Sequence, residues 1–283
     1  MEKALAAGGL DAAITLIGPE SLIAAIPAAR RVALEDWTGS AGQTAEPGDA
    51  ARAGRLAAQG VEAAVRLALG GEVDAIVTGP VQKHALHLAG YTHPGVTELL
   101  SRLAGSVPVA MMLVAGRLRV VLVTTHLPLR DVPRAVTTER IIATGRLAAA
   151  GLRRWWAIAE PRLAVCALNP HAGEEGLFGD EDERVLRPAA AALGAAGPIP
   201  ADTVFVRALR GEFDAVLAPY HDVGMTAVKV AGFGRGVNVT LGLPFPRTAP
   251  DHGTAFDIAG RGVADPGSMR AALELAAELA GAG

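Results

Sequence analysis

Three of the seven histidines lie shortly after apolar segments of the sequence. His126 follows RVVLV, His171 follows LAVCA, and His221 follows AVLAP. Catalytic residues of α/β proteins gather at the carboxyl ends of parallel strands, so we expect these side chains to emerge at the same sheet edge. Neutral imidazoles are ligands of divalent metals, and three of them leave a coordination position for substrate or water. The pattern therefore indicates a metal site.

The simpler explanation of any one of these histidines is a loop residue with an ordinary hydrogen-bonding partner. Their shared placement after apolar segments favours the metal site. The other histidines lack that placement. His84 and His87 lie on a predicted helix, His93 precedes another, and His252 lies on a turn from which it could support a ligand.

Two acids lie beside this predicted site. Asp222 directly follows His221, where its carboxylate could orient the imidazole ring as an outer partner. Asp202, in GPIPADT, precedes a predicted helix, and its alternative role is an ordinary helix N-cap. Both acids are candidate site residues.

The glycine-dense segment AGFGRGVNVTLGLPFPRT (231–248) is not the dinucleotide fingerprint, because Val237 takes the place of the last glycine. A phosphate-binding P-loop is also absent from the sequence. Lys229, Asn238 and Arg247 lie around this otherwise apolar segment. A lysine, an amide and an arginine suit a small anionic substrate, since arginine grips carboxylate or phosphate with two donors.

Composition excludes several classes of protein. The chain has 283 residues, 51% of them hydrophobic, which is enough for one large core or two lobes. A net charge of −3 argues against nucleic-acid binding. The single cysteine, Cys166, excludes an internal disulfide and fits a reducing cytoplasm. The apolar segment VPVAMMLVAG is too short for a membrane span, and we find no signal peptide.

Short apolar segments alternate with segments of helical periodicity, which predicts an α/β fold with a largely parallel sheet. A short connection at Gly116 predicts a hairpin, so the sheet is mixed. Strands are predicted at 12–18, 73–79, 109–116, 119–126, 163–169, 215–221 and 237–244. Helices are predicted at 2–8, 47–69, 82–89, 97–104, 131–150, 180–194, 202–210 and 267–281.

Long and specific strings occur from about residue 72 onward: VTGPVQK (77–83), TTHLPLRDVPRAVT (124–137), LNPHAGEEGLFGDE (168–181), GPIPADTVF (197–205), YHDVGMTAVK (220–229) and the segment 232–262. In this order they resemble the 4-hydroxythreonine-4-phosphate dehydrogenase family of pyridoxal phosphate biosynthesis. The resemblance implies a two-lobed isocitrate/isopropylmalate-dehydrogenase-like α/β fold with an active-site cleft between the lobes. It assigns residues 1–90 and 245–283 to the first lobe, and 91–244 to a second lobe with the metal ligands and dimer interface.

The resemblance also implies the chemistry. It predicts oxidation of the secondary hydroxyl of 4-phosphohydroxy-L-threonine, or a close phosphorylated hydroxy acid, followed by decarboxylation of the 3-keto acid. The implied cofactors are a divalent metal (zinc, magnesium or cobalt) and NAD or NADP. The implied assembly is a homodimer with its active site near the interface. The implied residues are the metal ligands His126, His171 and His221, the substrate contacts Thr97, Lys229, Asn238 and Arg247, and the catalytic group Lys229, Asp202 and Asp222.

Two departures from the family pattern leave alternatives open. Val96 stands where the family has a histidine in a GHTE string, which favours a dehydrogenase of phosphorylated threonate or erythronate, or a decarboxylating diol dehydrogenase. Alternatively, His93 replaces the missing donor. The family also begins with a strand and a PGDPAGIGPE-like loop, whereas this chain begins on a helix. We expect the native product to carry that segment, and its absence would instead favour a non-catalytic metabolite-binding homologue.

Overall fold

A computed structural model describes residues 1–37, 47–93 and 95–281, and these residues form two units. Unit 1 comprises Met1–Val109 and Leu243–Gly281, so it is discontinuous in sequence. Unit 2 comprises Ala110–Gly242. No helix within the described ranges is long and apolar enough to span a membrane.

The helices and strands are numbered along the chain. The helices are α1 (Glu2–Ala6), α2 (Glu20–Ile23), α3 (Pro47–Leu69), α4 (Lys83–Leu88), α5 (Val96–Leu103), α6 (Val132–Ala135), α7 (Thr138–Trp155), α8 (Arg187–Leu193), α9 (Ala201–Leu209), α10 (His221–Gly232) and α11 (Gly267–Gly281). The strands are β1 (Thr15–Pro19), β2 (Arg30–Leu34), β3 (Ile76–Val77), β4 (Ala110–Ala115), β5 (Leu118–Leu122), β6 (Leu163–Cys166), β7 (Ala196–Ile199), β8 (Ala215–Ala218), β9 (Val237–Leu241) and β10 (Arg247–Pro250).

The sheet of unit 2 has the strand order β9-β4-β5-β8-β6-β7. Strands β5, β8, β6 and β7 are parallel, whereas β4 is antiparallel to both of its neighbours. The pairing of β4 with β9 places Ala110 opposite Leu241. The predicted α/β class with a mixed, largely parallel sheet is therefore confirmed, and so is the hairpin of β4 and β5.

The central strands of unit 2 are buried along their whole length. Every residue of β6 and β8 is buried, which explains their uninterrupted apolar sequences LAVC and AVLA. Helices α9 and α10 contribute Val204, Ala208 and Val228 to one of the cores on this sheet. Because β5, β8 and β6 are adjacent and parallel, the residues that follow them emerge at one edge.

Several predicted elements need correction. Helix α10 was not predicted, because His221 to Gly232 contains Gly224 and β-branched residues and no side-chain cap signal. The predicted helix at 131–150 is interrupted, since α6 ends at Ala135 and Thr137 caps α7. Strands β2, β7 and β10 were also missed, being short and weakly patterned.

Unit 1 contains two parallel strand pairs, β1 with β2 and β3 with β10. One apolar cluster of this unit joins α3, α4 and α5 through Val61, Val65, Leu86, Leu99 and Leu100. This packing places residues 91–109 in unit 1, whereas the sequence had assigned them to the second lobe. The apolar face of α5 is the physical reason, because it is buried against α3.

Gly54 allows the close approach of α3 to α4. A Cβ atom at this position would overlap the carbonyl oxygen of Ala85 and lie 2.9 Å from the amide nitrogen of Leu86. We expect Gly54→Ala to lower the free energy of unfolding by about 3 kcal/mol, because backbone must move. The control is Gly60→Ala in the same helix, where the nearest atom lies at 3.8 Å. Urea unfolding of both variants tests this, and equal stabilities would contradict it.

Candidate functional site

Two of the predicted metal-ligating histidines lie together in unit 2. His126 follows β5, and His221 is the first residue of α10, just after β8. Their ring centroids are 5.6 Å apart and the ring planes are inclined by 44°. The buried hydroxyl of Thr124 donates a 2.7 Å hydrogen bond to the carbonyl oxygen of Pro219, which ties the two strand ends together. The parallel pairing of β5 and β8 thus brings this pair to one place.

A carboxylate fixes one of these rings. The Nδ1 atom of His221 lies 2.6 Å from Oδ1 of Asp222. Because a carboxylate oxygen accepts the hydrogen bond, Nδ1 is the donor, and in the neutral ring the lone pair then lies on Nε2. A histidine whose Nδ1–H donates to a carboxylate is the usual arrangement of a metal-ligating imidazole.

Asp222→Asn is expected to lower the affinity for a divalent metal by about 10- to 100-fold, because an outer-shell carboxylate that orients a ligand is lost. Calorimetric titration with Co²⁺ measures this effect. The matched control is Glu212→Gln, since Glu212 forms an exposed ion pair with Arg207 in the same unit. An affinity for Co²⁺ equal to that of the unaltered protein would contradict this role of Asp222.

His171 lies on a turn of unusual backbone conformation after β6. Residues 171–175 all have positive φ, between 42° and 85°. Each non-glycine residue in this left-handed region costs roughly 1–2 kcal/mol. The ring of His171 lies beside that of Phe178, with 6.2 Å between centroids.

The three predicted ligands do not form one cluster within a single chain. Across residues 1–37, 47–93 and 95–281, no group of three or more His, Cys, Asp or Glu side chains is arranged to hold a metal ion. The structure brings His126 and His221 together, and it does not group His171 with them. One chain therefore brings together two of the three predicted ligands, His126 and His221, and this pair is the predicted half-site of a metal.

Sequence reasoning missed Asp182, a buried carboxylate behind the His171 turn. Its side chain is only 1% exposed. Oδ1 accepts a 2.8 Å hydrogen bond from the amide of Leu168, and Oδ2 accepts one of 2.9 Å from the amide of Asn169. Asp182 lies among other acids in the string GDEDER, so the only sequence signal was its position three residues before Val185, which forms an apolar pair with Leu186.

Asp202 and Asp222 line one open cavity of unit 2, with a volume of about 430 Å³. Asp202 is the second residue of α9, whose N-cap is Pro200, so the N-cap explanation of this aspartate was wrong. Burial, followed by electrostatic interaction with Cys166 and Asp222, raises the pKa of the cavity residue Tyr220 above its usual value, so its hydroxyl remains protonated at neutral pH. The cavity is also lined by Ala201, Phe205, Val223, Thr226 and Ala227.

Cys166 is a core residue, as its apolar segment indicated. Burial, with a smaller contribution from the negative charge of Asp182, raises the pKa of its thiol to about 12. The thiol is therefore protonated at neutral pH and is not a nucleophile.

The other predicted site residues of unit 2, Lys229 and Asn238, lie on α10 and β9 and differ in burial. Lys229 is exposed and lies eight residues after His221 on α10, which is about 12 Å along a helix axis. Within this chain the structure therefore does not bring Lys229 to His221. Asn238 lies on β9, and its Oδ1 is buried without a hydrogen-bond donor among the described residues. A buried amide oxygen without a donor is costly unless a bound group supplies one.

Two of the residues that were predicted to contact the substrate, Arg247 and Thr97, belong to unit 1. Arg247 begins β10, is 4% exposed, and donates a 2.5 Å hydrogen bond from Nη2 to Oγ1 of Thr78. Burial lowers the pKa of this guanidinium to about 10, so it remains charged at neutral pH. Thr97 is the second residue of α5 and is half-buried.

Val96 and His93, the two residues tied to the departure from the family pattern, lie at and just before the start of α5. Val96 is the first residue of α5 and packs against the apolar cluster of unit 1. The guanidinium of Arg102 lies 2.9 Å from Nε2 of His93. Because arginine only donates, Nε2 of His93 is an acceptor in this arrangement. His93 is thus engaged within unit 1 and does not donate from Nε2 to a substrate.

Comparison with known proteins shows which protein family this chain matches. The family model of the pyridoxal phosphate biosynthetic protein PdxA matches residues 18–276. The chain is 52% identical over 222 residues to the 4-hydroxythreonine-4-phosphate dehydrogenase of Geobacter metallireducens, an alignment that covers 77% of this chain and 65% of that protein. It is 50% identical over 231 residues to the enzyme of Caulobacter vibrioides, covering 78% and 69%. The chain thus spans about two thirds of the length of these relatives.

The solved structures that resemble this one include two dehydrogenases. The 4-hydroxythreonine-4-phosphate dehydrogenase of Klebsiella pneumoniae has a TM-score of 0.79 at 40% identity, covering 98% of this chain and 85% of that chain. The terephthalate 1,2-cis-dihydrodiol dehydrogenase of Burkholderia xenovorans LB400 has a TM-score of 0.66 at 26% identity, covering 98% and 93%.

Proposed function

This chain belongs to the PdxA family of pyridoxal phosphate biosynthetic proteins, and on that premise we propose that it is a metal-dependent dehydrogenase. It oxidises the secondary hydroxyl of 4-phosphohydroxy-L-threonine with NAD or NADP, and the 3-keto acid then loses carbon dioxide. The observation that carries the proposal is the pair of His126 and His221 at adjacent strand ends, with Asp222 on the second ring.

The geometry of this pair fits a metal ion. Two imidazoles bonded to one tetrahedral ion at about 2.0–2.1 Å place their ring centroids roughly 5 Å apart. The observed 5.6 Å between His126 and His221 is close to that separation. The third ligand of the proposed site is His171 of a second copy, which makes the enzyme a homodimer with its active site near the interface. Zinc, magnesium and cobalt are the candidate ions.

The bound cofactors supply Lewis-acid activation of the hydroxyl and acceptance of the hydride. The chain supplies binding and orientation. Asp222 accepts the hydrogen bond from Nδ1 of His221, so that in the neutral ring Nε2 is the nitrogen that would bind the metal. The buried Oδ1 of Asn238 accepts from a hydroxyl or ammonium group of the substrate. Arg247, charged at neutral pH, holds an anionic end of the substrate.

The remaining candidates have more limited roles in this proposal. Thr97, on the first turn of α5, supplies a hydroxyl to the substrate. Lys229 is far along α10 from His221 of its own chain, so it acts in the site of the partner copy, where it holds or protonates the oxygen during decarboxylation. Asp202 and Asp222 line the adjoining cavity, from which a carboxylate can accept a proton.

A second candidate function is favoured by Val96. Valine cannot donate a hydrogen bond, so a substrate without a polar group at that position suits this site better. Phosphorylated threonate or erythronate is one such class, and a diol carboxylate is another. The likeness to a dihydrodiol dehydrogenase agrees with a family that accommodates different hydroxyl substrates.

Val96→His distinguishes these two functions. A hydrogen bond to a charged group contributes about 1.5–3 kcal/mol, so we expect kcat/KM with 4-hydroxythreonine-4-phosphate to rise by roughly ten- to a hundredfold. The assay follows NADH formation and carbon dioxide release with that substrate and with phosphorylated threonate and erythronate.

The outcomes separate the alternatives. If the unaltered protein already turns over 4-hydroxythreonine-4-phosphate at an ordinary rate and Val96→His changes nothing, valine is a neutral replacement and the plain family function holds. If no substrate of the panel reduces NAD or NADP although metal is bound, the protein is a non-catalytic metabolite-binding homologue.

A further inference from the structure

The turn that carries His171 is held in a conformation that it would not adopt alone. His171, Ala172, Glu174 and Glu175 are all left-handed without being glycine. Residues in such conformations persist only where the surrounding structure determines them, and they concentrate at functional sites. Something outside residues 171–175 must therefore hold this turn.

The carboxylate of Asp182 is placed to do so. It accepts hydrogen bonds from the consecutive amides of Leu168 and Asn169, which are the last backbone N–H groups before His171 because Pro170 has none. Each oxygen takes one amide, at 2.8 and 2.9 Å, so the direction of the chain as it enters the turn is fixed at two points. Because Asp182 is almost fully buried, water does not compete for these hydrogen bonds.

Further contacts close the same turn. The Nδ2 atom of Asn169 donates to Oε2 of Glu181 at 2.8 Å. The amide of Phe178 donates to the carbonyl oxygen of Gly173 at 3.1 Å. Gly179 has a φ of 122°, and a Cβ atom there would come within 2.8 Å of Nδ2 of Asn169. The returning chain therefore passes directly over Asn169, and its path depends on the residues around Asp182.

From this arrangement we propose that Asp182 is a positioning residue for the metal ligand His171. Its carboxylate holds the entrance of the left-handed turn, and the turn holds the imidazole where a metal can bind it. The inference rests on the proposed function, in which His171 is a ligand of the metal shared between two copies.

The test is a double-mutant cycle on Co²⁺ binding to the full chain. Asp182→Asn has the same size, but its amide NH₂ faces a backbone N–H donor and loses one of the two hydrogen bonds. We expect it to lower Co²⁺ affinity by about 10- to 100-fold and to shift the visible Co²⁺ spectrum toward that of His171→Ala. In the His171→Ala background the same substitution should change the affinity less than about twofold.

The matched control is Glu183→Gln, because Glu183 is adjacent and exposed and forms an ion pair with Arg187 along the helix. It should leave both affinity and spectrum unchanged. Circular dichroism confirms folding of each variant. If Asp182→Asn does not fold, the same cycle is run with Asn169→Ala, which removes the second tie of the turn and should give a smaller loss that also disappears without His171.

Three results would overturn the inference. One is an unchanged Co²⁺ affinity in folded Asp182→Asn. Another is an equal loss in both backgrounds, which would mean a general structural role. The third is undiminished Co²⁺ binding by His171→Ala. That result would exclude His171 as a ligand, and the proposed ligands His126 and His221 would be unaffected by it. If the unaltered protein binds no Co²⁺ at all, the proposed function and this inference fail together.

Discussion

His221→Ala is expected to abolish stoichiometric metal binding and to lower kcat/KM by at least about a thousandfold. His221 is one of two imidazoles that meet at the ends of adjacent parallel strands, and its carboxylate partner leaves Nε2 available. Without it, one chain retains a single ligand of the pair. The measurements are metal content after dialysis and the rate of NADH formation.

The same loss is expected of His126→Ala, because both rings belong to the half-site. The control is His84→Ala, which removes an exposed histidine of α4 in unit 1 and should preserve metal content and activity. Full metal content and turnover in folded His221→Ala would show that the pair is a structural contact between two rings.

Mixing two inactive variants is expected to restore activity. In the proposed dimer, one site uses His126 and His221 of one copy and His171 of the other. A dimer of His171→Ala with His126→Ala therefore contains one intact site and one site with both defects. Random exchange of subunits makes half of the dimers mixed, so about a quarter of all sites are intact.

The experiment mixes equal amounts of the two purified variants, allows subunit exchange, and compares activity with each variant alone. A mixture of His126→Ala with His221→Ala is the control, because those residues belong to the same half-site and no intact site can form. If the first mixture stays inactive while dimers do exchange, all three ligands come from one chain and the described turn must move.

The sequence predicted the centre of unit 2 well because its signals are local. Uninterrupted apolar strings predicted β6 and β8. Because parallel strands end at the same edge of a sheet, the histidines that come after the strands were expected at that edge. The meeting of His126 and His221 was predictable for that reason. The separation of His171 was not, because the left-handed turn at residues 171–175 depends on Asp182, which lies beyond it in the chain.

Other structural features could not be predicted from the sequence, because residues distant along the chain determine them. Helix α10 forms despite Gly224 and several β-branched residues, since Gly224 allows close packing on Val120, Leu122 and Ala218. Its formation also fixes the distance between His221 and Lys229, which the sequence alone could not give. The burial of Asp182 was equally hidden, because its neighbours in sequence, Glu181 and Glu183, are also acids and neither of them is buried.

Unit 2 begins at Ala110 and ends at Gly242, and the pairing of β4 with β9 places Ala110 opposite Leu241. The two points at which the chain crosses into and out of this unit are therefore neighbours across one strand pair, which is how a domain inserted into a host domain is joined. His126, His171, His221 and Asp182 all lie inside that insertion. Recombination at these two points would therefore transfer the three predicted metal ligands together as a single genetic cassette, separately from Thr97 and Arg247, which belong to the other unit.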